Sequence, residues 1–77
     1  MKKRYLRFKA WNAPMQLPHA QKIDCIIDIT KIENMIKYSK QISIYFNNHT
    51  YSYYFSTERH AEMVYDKIWK MLTQQED

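Results

Sequence analysis

The 77-residue chain contains no glycine, and this absence excludes several kinds of functional loop. Phosphate-binding loops, the dinucleotide fingerprint and the nucleophile elbow of hydrolases need glycine, because they require positive φ angles or a close approach of the backbone. Enzymes that depend on those loops are therefore not expected. Asparagine tolerates the left-handed conformation better than most residues, and Asn12, Asn34, Asn47 and Asn48 stand where turns are expected.

Cysteine and long apolar runs are also scarce. Cys25 is the only cysteine, so no internal disulfide can form, which is typical of a reducing intracellular compartment. The basic start "MKKR" is interrupted by Arg7 and Lys9 instead of being followed by an apolar stretch, and no long apolar run occurs elsewhere. We therefore expect a cytoplasmic protein that does not enter a membrane.

Potential metal ligands and catalytic groups are few. The soft ligands are His19, Cys25, His49 and His60, and no two of them stand at a familiar metal-site spacing. Glu62 and Asp66 are four residues apart on the solvent side of a predicted helix, where carboxylates are usually hydrated. General acid–base catalysis needs a buried group in a cleft, and one sheet with one helix offers little room for a cleft. We expect no metal, no cofactor and no enzymatic activity.

Positive charge is concentrated at the start of the chain. Residues 1–22 hold six basic side chains and no acidic one, whereas residues 23–77 hold six basic and eight acidic ones. A basic arm on a nearly neutral body can contact phosphates or an acidic protein surface, or it can simply keep the protein soluble.

The length allows one domain, 1–77, with a marginal hydrophobic core. Residues 1–11 form a basic N-terminal strand in which Leu6, Phe8 and Ala10 alternate with polar positions. Residues 12–21 contain two prolines and are expected to form an extended linker, which could carry the first strand to another sheet edge or onto a neighbouring molecule. Residues 22–77 form a sheet-plus-helix body.

The body has one pattern that is clearer than the rest. A strand is expected over 22–29, a short turn near 31–34 and a third strand over 35–38. In residues 41–56, apolar and polar side chains alternate on both sides of an asparagine-rich turn, and this pattern predicts a β-hairpin. A two-residue turn at Asn47-Asn48 or at Asn48-His49 keeps the apolar residues of both strands on one face, whereas a three-residue loop does not.

The pattern changes to a helical period from residue 58. The apolar stripe contains Ala61, Val64 and Ile68, with Thr57 or Ser56 as the N-cap, and predicts a C-terminal helix over about 58–73. The expected fold is therefore α+β, a small antiparallel sheet of about four strands packed by one helix.

The last third of the chain, a hairpin ending in "YSYYFS" followed by a threonine-capped helix with "AEMVYDKIWKML", resembles the closing hairpin and helix of pleckstrin-homology-like domains. The resemblance covers about half of the chain and concerns its periodicity, so no lipid-binding residue is carried over. The composition, small and rich in tyrosine and isoleucine, also resembles accessory proteins of phages and mobile elements.

Aromatic residues outnumber the positions that the core requires, and several are expected among cations on the outer face of the sheet. Rings among cations are suited to a protein interface, and equally to stacking and phosphate contacts with single-stranded DNA or RNA. Ordinary cross-strand aromatic pairing is the structural alternative. We predict a non-enzymatic binding module of regulator or inhibitor type, with nucleic-acid binding as the alternative and dimerisation through the first strand as a further arrangement. The predicted contact residues are Lys2, Lys3, Arg4, Tyr5, Arg7, Lys9, Trp11, Tyr45 and Tyr54.

Overall fold

The computed structural model describes residues 4–73 and has five antiparallel strands followed by one helix. The strands are β1 (Tyr5–Trp11), β2 (Lys22–Asp28), β3 (Ile32–Tyr38), β4 (Gln41–Phe46) and β5 (His49–Tyr54), in the spatial order β2-β1-β5-β4-β3. A short 3-10 segment (Ile29–Lys31) follows β2, and the helix α1 spans Glu58–Thr73. The predicted α+β class is confirmed, with five strands in place of about four.

The connection between β1 and β2 corrects one expectation. Residues 12–21 do not carry β1 to a distant edge of the sheet, because β1 pairs with β2 along its whole length, from Tyr5 opposite Asp28 to Trp11 opposite Lys22. The backbone N–H of Asn12 donates to the carbonyl of Gln21 (3.0 Å), and the N–H of Gln21 donates to Oδ1 of Asn12 (2.8 Å). The asparagine therefore closes the loop at its base, in place of a glycine turn.

The third strand begins earlier than the alternation predicts. The turn expected near 31–34 is the 3-10 segment at Ile29–Lys31, and Asp28 accepts a hydrogen bond from the backbone N–H of Thr30 (3.0 Å). β3 then starts at Ile32, and its register against β4 shifts between Ile32 and Asn34. A bulge interrupts the alternation of side chains between the two faces of a strand. The start of β3 therefore lacks the alternating apolar and polar pattern by which a strand is predicted from sequence.

The hairpin of β4 and β5 confirms the prediction and selects one of its two turns. Asn47 and Asn48 have φ angles of 42° and 71°, the left-handed values that a type I′ turn requires. Phe46 faces His49 across the turn, and Ile44 faces Tyr51. The two-residue turn places the apolar residues of both strands on one face.

The helix begins where its capping residue predicts. The backbone N–H of His60 donates to Oγ1 of Thr57 (3.1 Å), so Thr57 and not Ser56 is the N-cap. Ala61, Val64 and Ile68 are buried, and α1 packs against β3, β4 and the 3-10 segment. The helix covers one face of the sheet and leaves the other without a helix.

Phe8 connects the two parts of the sheet. β1 pairs with β5 only at Trp11 and Tyr54, so main-chain hydrogen bonds contribute little between these strands. The Phe8 ring instead lies 5.2 Å from Tyr53 in an edge-to-face contact and 6.2 Å from Phe55 in a stacked one. Side-chain packing holds the β1–β2 pair against β3–β5, within a core whose buried members are Leu6, Phe8, Ala10, Cys25, Ile27, Ile29, Ile42, Ile44, Tyr53, Phe55, Ala61, Val64 and Ile68.

Candidate functional site

The outer face of β1 carries four of the nine predicted contact residues, Tyr5, Arg7, Lys9 and Trp11. Leu6, Phe8 and Ala10 are buried, and the residues between them, Arg7 and Lys9, are exposed. The alternation arises because successive side chains of a strand point to opposite faces. β1 is therefore a two-faced strand, one side of which belongs to the core.

Arg7 is held by an ion pair with Asp24 on β2. Its Nη2 lies 2.7 Å from Oδ2 of Asp24, and its Nε lies 3.1 Å and 3.2 Å from the two carboxylate oxygens. The hydrogen bond from Arg7 lowers the pKa of the Asp24 carboxyl below its usual value, and the same bond raises the pKa of Arg7. The pair is exposed, so it contributes little to stability. It fixes the guanidinium over β2 and neutralises part of its charge.

Trp11 and Tyr54 meet where β1 joins β5. The two residues are directly opposite each other, so their side chains lie on the same face of the sheet. Both are partly buried, and Lys22 stands opposite Trp11 on β2. This corner is the one place where the structure brings two of the predicted aromatic contact residues together.

Tyr45 and Tyr5 lie away from this corner. Tyr45 is opposite Thr50, whereas Tyr54 is opposite Gln41, so two same-face steps separate the two tyrosines. At a rise of about 3.4 Å per residue, this separation is about 14 Å, too far for ring stacking. Tyr5 stands at the other end of β1 from Trp11. The predicted rings form a dispersed set and not a continuous platform.

The surface between Tyr45 and Tyr54 is small and polar. Ser43 faces Ser52 across the strands, and their hydroxyl oxygens are 3.4 Å apart. Nε2 of Gln41 donates to Oγ of Ser43 (3.3 Å). Ser43 is buried although it lies on the face without a helix. Small polar side chains that hydrogen-bond to one another therefore separate the two tyrosines.

Arg4, one of the predicted contact residues, contacts the end of the helix. Its Nη1 donates to the carbonyl of Met71 (2.7 Å), one of the last carbonyls of α1. A cation at a helix C-terminus is favourable because the helix dipole is negative there. The predicted contacts at Lys2 and Lys3 lie outside the described residues.

A groove of about 410 Å³ lies between β1 and α1, and the sequence did not predict it. Four of its lining residues are basic, and none is acidic. One sequence feature could have indicated the helix side of the groove. His60 and Lys67 are each three or four residues from Met63 and Val64, so these residues lie on one side of the helix, beside its buried stripe. The lining residues are Leu6, Arg7, Phe8, Lys9, Lys22, His60, Met63, Val64 and Lys67.

Two other grooves flank the sheet. One of about 320 Å³ lies between the 14–16 segment and the β3–β4 turn, and includes Tyr38 and Tyr54. The other, of about 300 Å³, lies between the end of β2 and the β4–β5 turn, and includes Phe46 and Tyr51. Neither groove has the excess of basic lining residues that distinguishes the groove between β1 and α1.

Between residues 4 and 73, no group of three or more His, Cys, Asp or Glu residues comes together as a metal site would require. Burial raises the pKa of the Cys25 thiol, with a smaller contribution from Asp24, and a protonated thiol is a poor nucleophile. No helix within 4–73 is long and apolar enough to cross a membrane.

Comparisons of the chain with protein-family models, with curated proteins and with solved structures find no match. The resemblance to pleckstrin-homology-like domains therefore rests on the succession of hairpin and helix alone.

Proposed function

We propose that the protein is a non-enzymatic binding module that acts by contact with an acidic surface of a larger protein, as regulators and inhibitors do. The observation that supports this proposal is the basic and aromatic side of β1, which begins at Arg7 and ends at the Trp11–Tyr54 corner. Cations beside a partly buried tryptophan and tyrosine have the composition of an interface anchor. A cytoplasmic location and an origin in a phage or mobile element are part of the same proposal.

The second candidate is single-stranded DNA or RNA binding through the same residues. Lys9 and Lys22 can contact phosphates, and Trp11 and Tyr54 are paired across the strands, where bases could stack. The roughly 14 Å gap between Tyr54 and Tyr45 weighs against it, because consecutive stacked bases need a closer row of rings. Protein contact is therefore preferred.

The experiment compares two probes of equal charge, a labelled thymidine oligonucleotide and a labelled poly-L-glutamate, each of about twenty units, enough to span a small domain. We expect poly-L-glutamate to bind at least as tightly as the oligonucleotide at physiological salt. If three phosphates are contacted, oligonucleotide affinity falls about a hundredfold for a tenfold rise in salt, since each contact contributes a slope of about −0.7.

Two variants make the comparison specific to the surface. Lys9→Glu is expected to weaken binding, and Lys70→Glu on the exposed part of α1 is the matched control. An oligonucleotide affinity more than about tenfold above that of poly-L-glutamate, a difference of about 1.4 kcal/mol, would favour the nucleic-acid alternative. No binding of either probe at low salt would contradict both candidates.

A further inference from the structure

We propose that an extended acidic segment of the partner protein adds as a further antiparallel strand to the open edge of β1, in the groove between β1 and α1. This inference rests on the proposed function and names the partner's chemistry and binding mode. It requires an edge with unused main-chain groups, a groove wide enough for a strand, and side chains that favour negative charge. Each is present in the described residues.

The hydrogen-bond pattern shows which residues of β1 have groups on the open edge. The N–H of Ile29 donates to the carbonyl of Arg4 (2.8 Å), and the N–H of Asn12 donates to the carbonyl of Gln21 (3.0 Å). Hydrogen-bonded and non-hydrogen-bonded pairs alternate along an antiparallel ladder, so the even-numbered residues of β1 bond to β2. The N–H and carbonyl groups of Tyr5, Arg7, Lys9 and Trp11 point away from β2.

Only the last of these four residues has a strand partner on that side. The N–H of Phe55 donates to the carbonyl of Lys40 (2.8 Å), which by the same alternation turns the main-chain groups of Tyr54 away from β4 and towards Trp11. Within residues 4–73, no strand pairs with this edge of β1 from Tyr5 to Ala10. An open edge of this kind is a template for strand addition.

The groove lies along this edge. Four consecutive residues, 6–9, line it, which indicates that the strand edge forms part of its wall, since one face of the strand would contribute only alternate residues. Lys22 also lines the groove and reaches it from β2, which pairs with the other edge of β1. Its volume of about 410 Å³ suits a short extended segment. The opposite wall comes from one stripe of α1 and contains His60, Met63, Val64 and Lys67.

The chemistry of the groove favours a segment that alternates between acidic and apolar residues. Met63 is 61% exposed, and it lies on the helix side with Val64, where inward side chains of an added strand would point. Arg7, Lys9 and Lys22 are on the outer side, and Asp24 already neutralises part of the charge of Arg7. Asp24 also lies directly opposite Lys9, so it offsets part of that charge as well. Lys22 and Lys67 remain to attract carboxylates, and no acidic residue lines the groove.

The probe is an eight-residue peptide of alternating Glu and Val with blocked ends, and the readout is amide hydrogen exchange measured by NMR. Antiparallel addition places the Glu side chains on the outer face and turns their N–H groups towards Tyr5, Arg7 and Lys9. We expect the amides of these three residues to gain at least tenfold protection. N-methylation of the Glu residues is expected to abolish this protection, whereas N-methylation of the Val residues preserves it.

Charge is tested by two lysines of the same helix. Lys67→Glu is expected to weaken peptide binding about fivefold, and Lys70→Glu, which does not line the groove, is expected to change it less than twofold. A peptide with Lys in place of Glu is expected not to bind. These substitutions are at exposed positions, so the variants keep the fold.

Three results would overturn the inference. The first is equal binding of the two N-methylated peptides, and the second is no binding of the Glu/Val peptide at about 1 mM, where even a 4 kcal/mol interaction is half-saturated. The third is that the peptide shifts the NMR signals of Trp11 and Tyr54 but adds no protection against amide exchange at Tyr5, Arg7 and Lys9. The third result leaves the proposed function intact, whereas tighter binding of the thymidine oligonucleotide would point to nucleic acid.

Discussion

Trp11 and Tyr54 are the one pair of residues at which β1 and β5 are paired as strands in the described part of the chain. Elsewhere within residues 4–73 these two strands are not paired, so the sheet has a corner at which two rings share the outer face. The packing of Phe8 against Tyr53 and Phe55 holds the parts together, and the groove between β1 and α1 is what remains open. The same feature therefore explains the partly buried aromatic corner and the open strand edge.

The open edge predicts an alternating exchange pattern in the protein without any partner. The amides of Leu6, Phe8 and Ala10 bond to β2 and are expected to exchange slowly. The amides of Arg7 and Lys9 are expected to exchange at least about tenfold faster, because no strand pairs with them. Uniform slow exchange along β1 that weakens on dilution would instead indicate dimerisation through this edge, which sedimentation would confirm.

The β4–β5 turn predicts opposite effects of two small substitutions at Asn48. Its φ of 71° is accessible to glycine without strain, so Asn48→Gly is expected to keep the free energy of unfolding within about 0.5 kcal/mol or to raise it. Asn48→Ala is expected to lower it by about 1–2 kcal/mol, since alanine is disfavoured in the left-handed region. Urea unfolding measures both, and equal stability of the two variants would show that the turn has another conformation.

Tyr53 predicts a loss of stability at alkaline pH. Burial raises the pKa of its phenol to about 12, with smaller contributions from Cys25 and Tyr51. The unfolded state loses the proton near the ordinary value of 10, so the folded state binds more protons between pH 10 and 12, and stability falls across that window. Tyr53→Phe is expected to make this fall shallower, which unfolding measured at several pH values would detect. An unchanged slope would mean that Tyr53 is exposed to solvent.

The sequence predicted the hairpin and the helix because their patterns are local. The two asparagines at 47–48 and the cap at Thr57 act within a few residues of their own position, and both are confirmed. The hairpin of β1 with β2 was harder to predict for two reasons. The prolines of 12–21 suggested a connection to a different edge of the sheet, and the hydrogen bond by which Asn12 closes the loop depends on Gln21, nine residues away.

The site could be predicted only in part. Alternation assigned Arg7, Lys9 and Trp11 to one face of β1, but it could not show that Arg7 pairs with Asp24 or that Trp11 meets Tyr54. Those contacts depend on register and on the spatial order of the strands, which are set by tertiary packing. The groove between β1 and α1 was missed for the same reason, since its walls are more than fifty residues apart in sequence.

The central claim, that the β1 side of the molecule is the binding surface, is tested most directly by the two indole N–H signals in an NMR spectrum of the unmodified protein. Trp11 lies at the corner with Tyr54, whereas Trp69 is exposed on α1 and does not line the groove. Trp69→Phe assigns the two signals. During titration with poly-L-glutamate, we predict a saturable shift of the Trp11 indole and no shift of the Trp69 indole. A shift of the Trp69 indole alone, or no shift of either, would contradict the claim.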